Sequence, residues 1–319
     1  MSASLTPGRA AAPAEAADRL GLLRAGGKAA LARALAGLET APDALETTTL
    51  LAQAHAAPRA RVIGITGPPG VGKSTLVNGL ITHWRAAGKT VGVIAIDPSS
   101  RRSGGALLGD RTRLSVDPED RGVFVRSMAA RDHLGGLAGL TVAAMVLMRA
   151  LFDVVLIETV GVGQSETEVS RVVDTVVFCV QPGSGDSLQY MKAGIAEIPH
   201  LVVVTKADMT REAMRARADV EGALSLSDAE DDWTAQVLMV SARMGDGVDA
   251  LARAIDEHGA YLAKGDRIRA LRHLQAEGWL KDSVRERFGR EGLRKAGPLA
   301  LAPGESPFDR LAVLARELA

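Results

Sequence analysis

Val62-Ile-Gly-Ile-Thr66, then Gly67-Pro-Pro-Gly-Val-Gly-Lys73-Ser74-Thr75, then a run with Leu76, Leu80 and Trp84 at helical spacing reads as a strand, a glycine-rich loop and a helix. The loop fits GxxxxGK[ST], and its flanks matter more than the match. Glycines let a main chain wrap closely round a phosphate so that successive N–H groups point inward. The helix N-terminus adds partial positive charge. Gly67, Pro68, Pro69, Gly70, Val71 and Gly72 are therefore expected to line the phosphates, with Lys73 reaching the β and γ oxygens. Ser74 is a candidate magnesium ligand, and Thr75 falls where the pattern puts a contact to the α-phosphate. A glycine-rich turn that binds nothing is the alternative, and it explains neither flank.

Outward from this loop, short β-branched runs alternate with longer helical stretches. The expected strands are Val62–Thr66, Val91–Ile96, Val123–Val125, Val154–Glu158, Val173–Val180, Leu201–Thr205 and Val237–Val240. Continuous apolar runs, rather than in/out alternation, indicate strands buried on both faces of a parallel sheet. The fold class is thus α/β, a P-loop NTPase with a mostly parallel sheet flanked by helices. Residues 1–15 are Ala/Pro-rich and expected to be disordered. Residues 16–58 carry helical periodicity broken at Gly26-Gly27 and Ala41-Pro42, an N-terminal extension of two or three helices. The P-loop domain is expected over 59–258. A C-terminal helical extension, 259–319, is broken by the Gly297–Pro307 stretch and ends in a short helix, Pro307–Leu318.

Composition narrows the class. The chain has 319 residues, 47% of them apolar, so a sizeable core can form. Thirty-eight basic residues balance thirty-eight acidic ones, which gives no electrostatic footprint for nucleic acid. The most membrane-like run, Leu137 to Ile157, contains Arg149 and Asp153 and breaks into an amphipathic helix and a strand, so no membrane span is expected. A single cysteine, Cys179, excludes an internal disulfide and fits a cytoplasmic setting; in its strand it reads as core. Six scattered histidines show no metal-ligand spacing.

The base is chosen downstream. Leu201-Val-Val-Val-Thr205-Lys206-Ala207-Asp208 ends a strand in [NT]KxD. An aspartate there accepts from guanine N1–H and the 2-amino group; adenine lacks both donors and would leave a buried carboxylate unpaired. Lys206 can lie along the base. Thr205 stands where Asn is commoner and is expected to hold the loop less firmly. Ser241-Ala242-Arg243, after the next strand, matches the loop whose main-chain N–H reads guanine O6. Glu158-Thr-Val-Gly161 closes its strand where most GTPases have Asp-x-x-Gly. Glu158 is expected to meet magnesium and the Gly161 N–H to face the γ-phosphate. Val162 follows, with Gln164 two residues beyond, so no water-orienting Gln directly follows the glycine and hydrolysis is expected to be slow without a partner. Asp97, closing the Val91–Ile96 strand, is a second candidate for the magnesium shell. Arg101–Arg113 reads equally as a switch loop or a solvated one, and Asp110 within it is a candidate to position the attacking water.

Asp97-Pro-Ser-Ser, Ser103-Gly-Gly-Ala-Leu-Leu-Gly-Asp-Arg-Thr-Arg113, Arg126-Ser-Met-Ala-Ala-Arg-Asp-His-Leu-Gly-Gly-Leu137 and Glu158-Thr-Val-Gly-Val-Gly-Gln-Ser-Glu166 go beyond generic GTPases. Together the segments resemble the MeaB/ArgK-type GTPases, of SIMIBI type, the family that includes the methylmalonic aciduria type A protein. Arg101, Asp132 and Thr205 depart from its usual Pro, Gly and Asn. The resemblance implies GTP and GDP as substrate and product, Mg2+, and a homodimer. It also implies a chaperone role toward adenosylcobalamin-dependent methylmalonyl-CoA mutase, gating cofactor loading; the chain itself carries no identified cobalamin motif. The family's extra sensing loop would fall on Gln181–Lys192, which residue by residue reads as a loop feeding a helix cap. A kinase linked to arginine/ornithine transport is the alternative activity, without an acceptor motif to support it. A nickel metallochaperone would carry His-rich or Cys/His sets, which this chain lacks. Apolar positions Leu262, Ile268, Leu271, Leu274, Trp279, Val284 and Phe288 suit either a dimer interface or intrachain packing.

Overall fold

The computed structural model describes residues 18–98, 114, 116–130, 139–159, 161, 168–183, 199–225 and 232–318. Within them seven strands form one sheet: β1 (Arg61–Thr66), β2 (Val91–Pro98), β3 (Val123–Ala130), β4 (Val154–Glu158), β5 (Thr175–Val180), β6 (Leu201–Val204) and β7 (Gln236–Met239). Their spatial order is β3-β2-β4-β1-β5-β6-β7, and every neighbouring pair is parallel. The described helices are α1 (Arg19–Thr40), α2 (Leu45–Ala56), α3 (Lys73–Ala86), α4 (Gly139–Leu151), α5 (Thr210–Leu224), α6 (Val248–Ala263), α7 (Arg267–Ala296) and α8 (Pro307–Leu318).

The strand sequences explain the layering. Alternate residues feed opposite faces, and both faces are apolar. Val62, Ile94, Ile96, Val155, Ile157 and Val176 pack against α1, α2 and α4. Ile63, Ile65, Val93, Leu156, Val177 and Val203 pack against α3 and α6. At the β6–β7 end, Phe178, Val180, Val202 and Val204 meet Ala213 and Val220 of α5. The N-terminal helices therefore share the core of the sheet rather than sitting apart from it.

Several expectations change in detail. The third strand runs past Val125 to Ala130, because β2 pairs with it throughout, from Val91↔Val123 to Pro98↔Ala130. The fifth starts at Thr175 rather than Val173, since the Val173 N–H is committed to Val169 O at 3.2 Å in the preceding turn. The α4 stretch is not amphipathic: Ala143 to Ala150 are all buried, Arg149 included at 4% exposure. It is wedged between the sheet and α1, α2 and α7, so no polar face remains. Among the described residues no helix is long and apolar enough to cross a membrane. Of the C-terminal apolar positions, Leu262 and Val284 are buried and Leu274 is 66% exposed.

C-terminal helix α7 is stapled to the sheet by a polar network that the sequence did not advertise. Asp174, 2% exposed, accepts from the Val62 N–H at 2.8 Å and from Arg272 Nε and Nη2 at 2.9 and 2.7 Å. Arg272 also donates to Ala60 O.

Candidate functional site

The chain enters β1 with β4 on one side and β5 on the other. Connections to β2 and β3 run one way and those to β6 and β7 the other, so the carboxyl ends of β4, β1 and β5 border a topological switch point, where open α/β sheets bind ligands. The Gly67–Ser74 loop leaves β1 there. Gly67, Gly70 and Gly72 take φ of 132°, 74° and 104°, values that only glycine adopts without strain. A Cβ on Gly67 would lie 2.3 Å from Cys179 O, which is why the loop can start flush against β5. Lys73 opens α3, 7% exposed, and its ammonium donates to Gly67 O at 2.8 Å and Pro68 O at 3.0 Å. The cation is thereby held over the loop. Pro69, Gly70 and Thr75 are exposed, and Val71 is buried under the loop.

Glu158, 5% exposed, lies opposite Ile65 in β1 and Ala95 in β2. Ser74 Oγ donates to its Oε1 at 2.6 Å, so the two candidate magnesium ligands are in contact. A hydroxyl and a carboxylate are hard oxygen donors of the kind magnesium takes beside phosphate and water. The ion needs few protein ligands, and no cluster of three or more His, Cys, Asp or Glu suited to a metal occurs among the described residues. The donor set fits. Gly161, at φ 80°, lies against the loop: a Cβ there would fall 1.9 Å from Gly67 O and 2.7 Å from Lys73 Nζ. Thr159 braces this corner, donating Oγ1–H to Thr66 Oγ1 at 2.8 Å.

The base-end motifs meet the loop through one side chain. Thr205, buried at 5% exposure, directs its hydroxyl to Val71 O at 2.7 Å and Val180 O at 3.0 Å. The expectation of a weak hold is modified accordingly: the hydroxyl reaches both carbonyls, although its one hydrogen serves one at a time. Lys206 adopts φ 52° and donates to Gln181 Oε1 at 2.7 Å. Asp208 accepts from Ser241 Oγ at 2.7 Å, which joins the two distant motifs. That hydroxyl, with Asp208's own N–H, holds its carboxyl below the usual range. Asp208 is exposed, not buried as the sequence argument assumed, because it sits on the loop beyond β6. Ala242 is half-buried and Arg243 exposed beside it.

Other expected residues are not brought in. Asp97 lies within β2, one residue before its end and two positions past Glu158's partner Ala95, but its side chain lies outside what the structure describes. Asp110, Val162, Gln164, the Arg101–Arg113 loop and residues 184–192 also lie outside the described residues. Cys179 is fully buried, and burial pushes its thiol up to about 12, which suits core rather than chemistry. Sequence reasoning missed the Thr205–Val71 tie. Its signal, a hydroxyl residue directly after a buried strand, is too common to single out.

A family model described as "Methylmalonyl Co-A mutase-associated GTPase MeaB" matches residues 31–295. A putative GTPase of Pyrococcus abyssi is 44% identical over 229 residues, 70% of each chain. One of Caulobacter vibrioides is 41% identical over 286 residues, 88% of this chain and 87% of that one. Among solved structures, a LAO/AO transport system kinase superposes with a TM-score of 0.69 at 28% identity, over 93% of this chain and 96% of that one.

Proposed function

The chain belongs to the MeaB family of methylmalonyl-CoA mutase-associated GTPases, and from that membership we propose that it binds and slowly hydrolyses GTP as a signal to an adenosylcobalamin-dependent acyl-CoA mutase that it assists. One observation carries the reading toward GTP. The Thr205 hydroxyl at 2.7 Å from Val71 O ties the base-reading strand end to the phosphate loop, and Ser241 on Asp208 adds the second base motif. One purine nucleotide spans both.

Each residue then has a task. Lys73 and the loop amides neutralise the β and γ oxygens as charge shifts onto them. Asp208 accepts from the guanine N–H groups, exchanging the Ser241 hydroxyl for the base. Ser74 and Glu158 would hold magnesium, which would supply neutralisation of phosphate charge. Gly161, stripped of a side chain, brings its N–H toward the γ-phosphate. In the sequence Val162, not a glutamine, directly follows Gly161, which supports slow turnover until a partner completes the site. The family resemblance also supports a homodimer and cytoplasmic residence.

The test follows labelled γ-phosphate in single turnovers with and without purified mutase. Release of free phosphate, accelerated by mutase, is expected. Transfer to a small molecule or protein acceptor would instead favour the kinase reading that the LAO/AO neighbour's name suggests. A partner-free rate equal to the activated one would sink the coupling.

A further inference from the structure

The carboxyl end of β5 supports the candidate site with three consecutive residues. Cys179 O sits 2.3 Å from where a Cβ on Gly67 would stand. Val180 O accepts from the Thr205 N–H at 2.8 Å and lies 3.0 Å from its hydroxyl. Gln181 Oε1 accepts from Lys206 Nζ at 2.7 Å. The first contact serves the phosphate loop and the second the strand end before the base motif. The third reaches the side chain expected to lie along the base, yet Gln181 belongs to neither the phosphate-loop nor the base motifs.

Lys206 has an unfavourable backbone. Among the described residues it is the one non-glycine residue with a positive φ, 52°, a region costly for a residue with a Cβ. Main-chain bonds hold it there: the Ala207 N–H donates to Val240 O at 3.2 Å, and the Met209 N–H to Lys206 O at 2.9 Å. They do not fix the four-carbon stem, which is exposed and rich in rotamers. The bond to Gln181 does. An ammonium only donates, so the amide must present its oxygen, and one orientation of the stem is selected.

We propose that Gln181 is a positioning residue for the guanine nucleotide, setting Lys206 in advance so that its stem covers one face of the base. The inference rests on the guanine-nucleotide reading and deepens it. Each base-reading side chain then has one neutral partner: Asp208 has Ser241, and Lys206 has Gln181. The two partners behave differently on binding. Asp208 exchanges the Ser241 hydroxyl for the base, whereas the apolar stem of Lys206 meets the ring and its ammonium keeps Gln181. Such preorganisation lowers the ordering cost of binding. Because Gln181 acts through Lys206, its contribution belongs to ligands that carry the base and not to the phosphates alone.

The experiment is calorimetry of the full chain with magnesium, using GDP, GTP and inorganic tripolyphosphate as probes. Gln181→Leu keeps the bulk of the side chain and loses the acceptor. It should weaken GDP and GTP binding about 3- to 10-fold, the worth of one hydrogen bond, and leave tripolyphosphate binding unchanged, which also shows that the variant is folded. Gln181→Glu keeps an acceptor and should restore most of the affinity. In a Lys206→Met background the ammonium is gone, and Gln181→Leu should then change nothing further. Unchanged GDP affinity in Gln181→Leu, an equal loss for tripolyphosphate, no recovery in Gln181→Glu, or the same loss in the Lys206→Met background overturns the proposal. A wild-type chain that binds no guanine nucleotide overturns the nucleotide reading and this inference with it, a result distinct from equal GDP binding by wild type and Gln181→Leu.

Discussion

Gly161 shows how much of this site hangs on one absent side chain. Its Cβ position is 1.9 Å from Gly67 O, at φ 80°. Gly161→Ala must therefore push the segment off the phosphate loop, and kcat for GTP hydrolysis should fall on the order of 10²-fold, as when one oriented donor is lost. Gly88→Ala is the control. Its φ is 73° and nothing lies within 4 Å of the added Cβ, so it should cost about 1 kcal/mol of left-handed strain in chemical denaturation and leave hydrolysis alone. At the base end, Asp208→Asn replaces an acceptor by a donor while Ser241 can still bond it. Competition binding should show GTP affinity falling and xanthosine triphosphate affinity rising; an unchanged preference would remove Asp208 from base reading. Lys73, Ser74, Glu158 and Asp208 were legible because chemistry fixes their spacing to a strand end. Thr205's reach to Val71 O was not, since it depends on how closely β5 and β6 bring two loops together.

Secondary elements were legible wherever a local pattern sufficed. All seven strands follow from β-branched runs, and α8 from the proline that opens it. What one window cannot hold is a pairing far along the chain. The extension of β3 to Ala130 comes from its register with β2, and the all-round burial of α4 from the helices that cover it. Asp174 with Arg272 belongs to the same class, two charges 98 residues apart along the chain. Deleting Asp174 leaves a mostly buried guanidinium and the Val62 N–H unmatched, so Asp174→Ala should cost about 3–5 kcal/mol in urea unfolding. The double variant Asp174→Ala/Arg272→Met should recover part of that loss, because no charge is then stranded. Equal losses in single and double variants would mean that the pair does not fasten α7 to the sheet.

For the molecule as a whole, acid should act through buried histidines before it acts through carboxylates. His258 is completely buried, with Nδ1 at 2.8 Å from Thr175 Oγ1 and its ring 4.2 Å from that of His200. Burial lowers its pKa from 6.5 to about 3, with His200 adding to the effect; His55 falls to about 4, burial again leading. Below pH 6.5 the unfolded chain takes up protons on both histidines and the folded chain does not. Stability is therefore full above about pH 6.5 and declines as pH falls toward 4 and then 3. The slope approaches 1.4 kcal/mol per pH unit for His258 and is smaller for the half-buried His55. The lowered carboxyls, such as Asp120 beside Arg85, contribute above the ordinary carboxylate range and lose their share only below about pH 4, so the two windows separate. Urea unfolding between pH 7.5 and 4.5 should show this decline, and His258→Gln should flatten it by close to one proton. A slope unchanged by that substitution would place the acid sensitivity elsewhere.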